Sequence, residues 1–200
     1  MSKAWEPLDG ETPFDLSELK DRRIRNRESL NRVEAENIRK ATVKYLSAKP
    51  SKRTAPFTYA WALRVHSEMF RDVWKWAGKP RQSDLNIGVA WARVQTDLEA
   101  LFLDIGCWKS EQSTILEDAV AIHYRTVHIH PFHGGNGRWS RLLANIWLKR
   151  HDYPVVDWPT DVASSESPIR KEYILALQAA DKQDMDPLIE LHRQHWRFTG

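Results

Sequence analysis

The strongest chemical signal in the sequence is one short stretch, His130 to Arg141, which reads HPFHGGNGRWSR. Three glycines within four positions exclude an ordinary helix or strand interior, because glycine loses the most backbone freedom on folding. Apolar residues at helical spacing flank the stretch, which predicts a loop whose second helix begins at about Asn136, a favoured N-cap residue. N–H groups at a helix N-terminus bind anions, and Arg138 and Arg141 share one face of the first turn. The stretch therefore predicts an anion site with two guanidinium groups and one titratable imidazole, His130.

The same stretch resembles the signature of the Fic/DOC family, His-x-Phe-x-(Asp/Glu)-Gly-Asn-Gly-Arg-x-x-Arg, and matches it at every fixed position except one. Gly134 stands where the family has an acidic residue. The resemblance implies that His130 is the catalytic base and that Phe132 is the buried anchor of the loop. It also implies that Arg138 binds the leaving pyrophosphate and that Arg141 binds the γ-phosphate or an inhibitory glutamate. The nucleotide's phosphates would then lie against Gly135, Asn136, Gly137, Arg138 and Arg141.

The reaction implied by the resemblance is the transfer of AMP from ATP to a Ser, Thr or Tyr hydroxyl of a target protein. A neutral imidazole suits the role of base, because its unperturbed pKa of about 6.5 lies near working pH. Stabilisation of the charge on the phosphates would supply the larger part of catalysis. The family binds Mg²⁺ through the acidic residue, and Gly134 has no side-chain oxygen to offer. We therefore predict no metal ligand from the protein and a weakened Mg²⁺ site built from water and phosphate.

Three alternative interpretations stay open. The missing acid is compatible with a catalytically degenerate Fic protein that acts as a nucleotide-binding or partner-binding module. A Fic enzyme with another phosphate-linked donor, as in the DOC branch, is a second alternative, although that branch has a lysine where this chain has Gly137. The third is a metal site formed by His128, His130 and His133, which would leave the glycines and arginines without a role.

The elements that must position this loop are helical. Apolar residues at helical spacing predict helices over residues 27–48 and 58–77, a further helix from about Val94, and one helix on each side of the loop. Ser167-Pro168 and Asp186-Pro187 each predict a helix start, since proline is favoured in the first turn. The sequence thus predicts an all-α helical bundle that resembles the Fic fold. Its expected parts are an N-terminal arm (1–26), a candidate inhibitory or packing helix (27–49) and a Fic domain (50–200).

The first long helix carries candidate inhibitory residues. Many Fic proteins have an inhibitory helix with the pattern Ser/Thr-x-x-x-Glu-Gly/Asn, whose glutamate pairs with the last arginine of the motif. Glu36-Asn37 matches the second half of the pattern, but Arg32 occupies the Ser/Thr position, and Glu34 is a competing candidate. The alternative is that Arg32, Glu36 and Lys40 are exposed partners four residues apart on a packing helix.

Residues 82–92 form the least helical part of the chain. Leu85, Ile87 and Val89 alternate with polar residues or glycine, which predicts a short β-hairpin. The family resemblance implies that this hairpin is a flap on which a segment of the protein substrate docks by strand pairing.

Composition limits the remaining possibilities. In 200 residues, 30 basic side chains face 27 acidic ones, so the net charge of +3 does not predict direct binding to nucleic acid. Cys107 is the only cysteine, which excludes an internal disulfide. Because no apolar run resembles a signal peptide or membrane span, a cytoplasmic protein is expected.

The chain also resembles one subgroup of the family, the mobile mystery protein B group, at Gly134, at residues 86–89 and in the N-terminal arm. This resemblance implies a helix-turn-helix, antitoxin-like partner.

Overall fold

The computed structural model describes residues 15–108, 114–159 and 167–196, and the regular secondary structure of these ranges is helical. Two short 3-10 helices lie at Leu16–Glu18 and Trp91–Arg93. The seven α-helices of the described ranges are α1 (Arg27–Leu46), α2 (Tyr59–Phe70), α3 (Val94–Cys107), α4 (Ile115–Ile129), α5 (Asn136–Arg150), α6 (Pro168–Ala180) and α7 (Asp186–Gln194). The predicted all-α class is confirmed. No helix in the part of the chain that the structure describes is long and apolar enough to cross a membrane.

Helix α5 lies at the centre of the fold. Its buried residues occupy every side of the helix, from Trp139 in the second turn to Leu148 near the end. A helix that is apolar all round must be covered on all sides, and α1, α2 and α4 pack around it. Trp139 is completely buried, and its indole N–H donates to the carbonyl of Ala62 in α2 (3.0 Å). The first two turns of α5, which carry the two motif arginines, are therefore fixed by the core.

Several helix boundaries follow from local chemistry. Thr114 begins α4 with a capping box, in which its side chain and that of Glu117 each accept from the other's backbone N–H. Helix α6 begins at Pro168, as predicted, whereas α7 begins at Asp186 with Met185 as its N-cap. The prediction that Asp186 is a cap is therefore wrong by one position.

The predicted helix over 58–77 is too long, because α2 ends at Phe70. The backbone of the next residues instead pairs with the segment before α1. The N–H of Lys20 donates to the carbonyl of Val73 (2.9 Å), and the N–H of Lys75 donates to the carbonyl of Glu18 (3.0 Å). This antiparallel contact replaces the helical hydrogen bonds. The predicted N-terminal arm thus contacts the domain from residue 15 onward, and residues 1–14 lie outside the described part.

The prediction of a β-hairpin over residues 82–92 is wrong, since the segment folds as a loop without strands. The guanidinium of Arg81 is only 2% exposed and donates to the carbonyls of Ser83 and Val89. One buried side chain thus binds backbone groups that a hairpin would pair across strands. The alternation in the sequence has another cause, because Leu85, Ile87 and Val89 are half-buried while the residues between them are exposed.

Candidate active site

The glycine-rich loop is closed by the side chain of Asn136. Its Oδ1 accepts from the N–H of Phe132 (3.0 Å), and its Nδ2 donates to the carbonyl of the same residue (2.8 Å). The predicted N-cap role of Asn136 is wrong, because Gly135 occupies the cap position and no side chain caps the helix. The side-chain amide of Asn136 has an acceptor and a donor that pair with the backbone N–H and carbonyl of Phe132. It therefore closes the loop and does not cap the helix. The first N–H groups of α5 consequently remain available to an anion.

Two of the glycines lie directly against aromatic rings. Gly135 has a φ of +76°, and a Cβ there would lie 2.4 Å from Cζ of Phe70. At Gly134 a Cβ would lie 3.2 Å from two ring carbons of Trp76. Trp76 is buried and stacks on Trp74 with ring centroids 5.0 Å apart, so it has little room to move. A carboxylate side chain at position 134 would therefore press on this indole.

His66 and Phe132 fix the loop against the buried core. Phe132 is completely buried and stacks on the imidazole of His66 with 3.5 Å between ring centroids. Nδ1 of His66 accepts from the N–H of Gly78 (2.9 Å), which places the proton on Nε2, where it donates to the carbonyl of Gly134 (3.1 Å). Burial lowers the pKa of His66 to about 3, so the ring stays neutral. His66 lies 68 positions from Gly134 in the sequence, so its contact with the loop could not be predicted from the sequence.

His130 ends α4 in the left-handed conformation, with a φ of +51° and a ψ of +59°. Its carbonyl accepts from Nε of Arg81 (2.8 Å), which stabilises a conformation that costs a non-glycine residue about 1 kcal/mol or more. Burial, with a smaller effect from the charge on Arg81, lowers the pKa of its imidazole to about 4. The imidazole is therefore neutral at pH 7 and has a lone pair with which to accept a proton.

Arg138 is paired with a carboxylate from α1. Its Nη1 donates to Oε2 of Glu34 (2.5 Å), and its guanidinium lies 4.9 Å from the ring centroid of Phe70. The other oxygen of Glu34 accepts from the indole N–H of Trp74 (2.6 Å). With a side chain only 4% exposed, Glu34 occupies the position beside Arg138 where an anionic ligand would bind.

Glu36, the other candidate, points away from the site. Its carboxylate is 48% exposed and pairs with Arg39 (2.9 Å) and Lys40 (3.8 Å) on the surface of α1. The structure thus brings Glu34 to the motif and leaves Glu36 in solvent. The partner also differs from the family pattern, because Glu34 contacts Arg138 and not Arg141.

Arg141 lies between two aromatic rings, 5.4 Å from the centroid of Tyr173 and 5.5 Å from that of Trp158. Within the described residues no carboxylate lies at ion-pair distance from its guanidinium. Burial lowers its pKa, which reflects the cost of a partly desolvated cation. A cation held in this way beside a free helix N-terminus is suited to binding phosphate.

Comparison with known proteins identifies the domain. A model of the Fic/DOC family matches residues 56–148. The chain is a Fic-domain protein. Among similar curated proteins, the protein adenylyltransferase Fic of Aedes aegypti is 30% identical over 154 residues, which are 74% of this chain and 30% of that protein. The protein adenylyltransferase Fic of Drosophila grimshawi is 36% identical over 116 residues, which are 56% of this chain and 23% of that protein. The match spans less than a third of the length of either relative.

Solved structures share the fold of this Fic protein. Fic-1 (residues 134–508) from C. elegans superposes with a TM-score of 0.69 at 24% identity, over 82% of this chain and 49% of that one. BepC from Bartonella tribocorum, solved with bound AMPPNP, also has a TM-score of 0.69, at 16% identity and 97% coverage of both chains. The predicted Fic fold is confirmed.

The residues of this Fic motif do not fit a protein-bound Mg²⁺. Gly134 has no side-chain oxygen, its carbonyl accepts from His66, and Trp76 leaves little space for a carboxylate there. In the described ranges no group of three or more His, Cys, Asp or Glu side chains could hold a metal. The alternative three-histidine site is not assembled either, because His128 is on the surface and its Nδ1 contacts Asp181 (2.9 Å).

Proposed function

We propose that this Fic domain transfers AMP from ATP to a Ser, Thr or Tyr hydroxyl of a protein. The observation that carries the proposal is the neutral imidazole of His130 in a loop that leads into an uncapped helix N-terminus. In the same helix, the guanidinium of Arg141 has no described carboxylate at ion-pair distance. The names of the relatives and the nucleotide bound to BepC support an adenine nucleotide as donor.

The step balances with groups of this chain and the two substrates. The target hydroxyl gives its proton to His130 while its oxygen attacks the α-phosphorus of ATP. The bond between that phosphorus and the oxygen leading to the β-phosphate breaks, and pyrophosphate leaves with the bonding electrons. The N–H groups at the start of α5 and the guanidinium groups of Arg138 and Arg141 stabilise the charge on the phosphates.

Helix α1 inhibits this reaction through Glu34. The carboxylate neutralises Arg138 and adds a negative charge where the β- and γ-phosphates must lie. Trp74 holds the carboxylate in place with a hydrogen bond of 2.6 Å. Nucleotide binding in the productive position therefore requires Glu34 to leave Arg138.

The 82–92 loop docks the target protein. A Cβ at Gly88 would lie 2.5 Å from Cβ of His130, so the loop runs directly against the base. A target segment held along Leu85, Ile87 and Val89 would bring its hydroxyl to the imidazole. The resemblance to mobile mystery protein B further suggests a helix-turn-helix partner, and co-purification with such a protein encoded beside this chain would test it.

The test is incubation with α-labelled ATP, with the wild type compared with His130→Ala, and each compared with the same protein carrying Glu34→Gly. We expect label on a protein, this chain included, that increases in Glu34→Gly and disappears in His130→Ala. Because Gly134 supplies no metal ligand, a degenerate nucleotide-binding protein is the second candidate. Calorimetric binding of ATP without any label, even in Glu34→Gly, would favour that candidate and contradict the transferase.

A further inference from the structure

A chain of buried hydrogen bonds runs behind Arg141. The hydroxyl of Tyr173 lies 3.0 Å from Nε2 of His123, and Nδ1 of His123 lies 3.0 Å from Nε2 of His192. Nδ1 of His192 lies 2.7 Å from the carbonyl of Leu188. Both imidazoles are completely buried, and Tyr173 is 7% exposed. The three side chains come from α4, α6 and α7, so the chain of bonds connects three helices to the phosphate site.

One carbonyl fixes the position of every proton in this chain of bonds. The oxygen of Leu188 can only accept, so Nδ1 of His192 carries a proton. Burial lowers the pKa of His192 to about 4, so its Nε2 is unprotonated and accepts from Nδ1 of His123. Burial also lowers the pKa of His123, whose Nε2 then accepts from Tyr173. The phenol O–H of Tyr173 therefore donates to His123, and the oxygen keeps its lone pairs for another donor.

Arg141 lies against the ring of Tyr173, with its guanidinium 5.4 Å from the ring centroid. The positive charge of Arg141 partly opposes the effect of burial on the pKa of the phenol. The second ring beside Arg141, Trp158, packs edge-on against His192 (4.9 Å between centroids) and His123 (5.5 Å). Both rings beside the guanidinium are therefore in contact with His123, and Trp158 also contacts His192.

We propose that Tyr173, His123 and His192 form a positioning network that holds the guanidinium of Arg141 toward the terminal phosphate of the nucleotide and so sets the preference for a triphosphate over a diphosphate. The proposal rests on the proposed function, because it needs a nucleotide in the motif. Glu34 engages Arg138 and leaves Arg141 free of any described carboxylate, which is the arrangement that recognition of an added phosphate requires.

The decisive variant is Tyr173→Phe in a Glu34→Gly background, since it removes one oxygen and keeps the ring. Calorimetry with ATP and with ADP gives the ratio of the two affinities. We expect ATP affinity to fall severalfold, up to roughly tenfold, which is the effect of losing the hydrogen bond that fixes the ring on His123, and ADP affinity to change little. Tyr124→Phe is the matched control, because its hydroxyl donates to Asp181 (3.0 Å) outside the network. Equal losses for ATP and ADP, or the same losses in Tyr124→Phe, would overturn the proposal.

Two measurements separate positioning from mere stability. In Arg141→Lys, which keeps the charge but loses the planar fork, Tyr173→Phe should produce no further change in the ATP-to-ADP ratio. Additive effects would show that Tyr173 acts independently of Arg141. Long-range ¹H–¹⁵N NMR spectra of the histidine rings should show His123 and His192 as neutral Nδ1–H tautomers, and the Nε2–H tautomer at either ring would contradict the network whatever the activity. If neither ATP nor ADP binds with Glu34 replaced, the proposed function itself fails.

Discussion

Replacing Glu34 with glycine removes the carboxylate that occupies Arg138 while leaving the motif intact. The ion pair is short, its carboxylate is 4% exposed and its guanidinium is 29% exposed. A hydrogen bond between charged groups contributes about 1.5–3 kcal/mol, and the exposure of Arg138 places this pair at the lower end of that range. Because phosphate and Glu34 compete for one guanidinium, ATP affinity should rise roughly tenfold or more. Calorimetry gives the affinity, and label transferred from α-labelled ATP gives the rate, which should rise with it.

Glu36→Gly is the matched control for this prediction. It places glycine in the same helix at the same cost of about 1 kcal/mol in helix propensity, and it also removes a carboxylate. Since Glu36 pairs only with exposed Arg39 and Lys40, ATP affinity should stay at the wild-type value. Equal affinities for ATP in Glu34→Gly and Glu36→Gly would refute the reasoning, because only Glu34 contacts an arginine of the motif.

Three further predictions concern the neighbours of this site. Trp74→Phe removes the indole N–H that holds Glu34 and should raise ATP affinity severalfold by calorimetry, less than Glu34→Gly does. Gly134→Asp presses on Trp76 and should lower the free energy of unfolding by about 1–3 kcal/mol in urea titrations without creating Mg²⁺-dependent transfer; a gain of Mg²⁺ dependence would contradict the steric argument. Acid should also destabilise the fold, because buried imidazoles stay neutral while the unfolded chain takes up protons below pH 6.5. Each of these imidazoles lowers the free energy of unfolding by up to about 1.4 kcal/mol per pH unit. Far-UV circular dichroism should therefore show unfolding at about pH 5. A free energy of unfolding that stays constant from pH 7 to 5 would be incompatible with this burial. The imidazoles concerned are His66, His123, His130 and His192.

The helices and the motif loop could be predicted from the sequence because their signals are local. Apolar spacing gave α1 to within two residues at its end, and the glycines marked the loop before α5. The role of Asn136 could not be predicted, since its amide can cap a helix or close a loop, and the choice depends on where Phe132 lies. The alternation of apolar and polar residues over 82–92 correctly indicated burial on one side of the segment. It could not show that hydrogen bonds from Arg81 take the place of those from a partner strand.

The polar core was the least predictable part of the site. His66, His123 and His192 are isolated in the sequence, and an isolated histidine on an apolar face gives no sign of what it contacts. Three of their hydrogen bonds join residues 50 to 69 positions apart, so only the packing of α2, α4, α6 and α7 brings these partners together. Their common property, a neutral ring with one fixed tautomer, follows from burial and from a neighbouring backbone group.

The choice between Glu34 and Glu36 shows how a motif can mislead when helix geometry is ignored. Two positions along a helix correspond to a rotation of about 200°, so the two carboxylates must lie on nearly opposite faces. Leu30, Glu34, Asn37, Ala41 and Tyr45 form the buried face of α1. Their spacing of three or four residues includes Glu34 and excludes Glu36, although Glu36 is the one that matches the inhibitory pattern. The rule that buried positions recur at three and four residues would have identified the carboxylate facing the motif, because Leu30, Ala41 and Tyr45 already define that face.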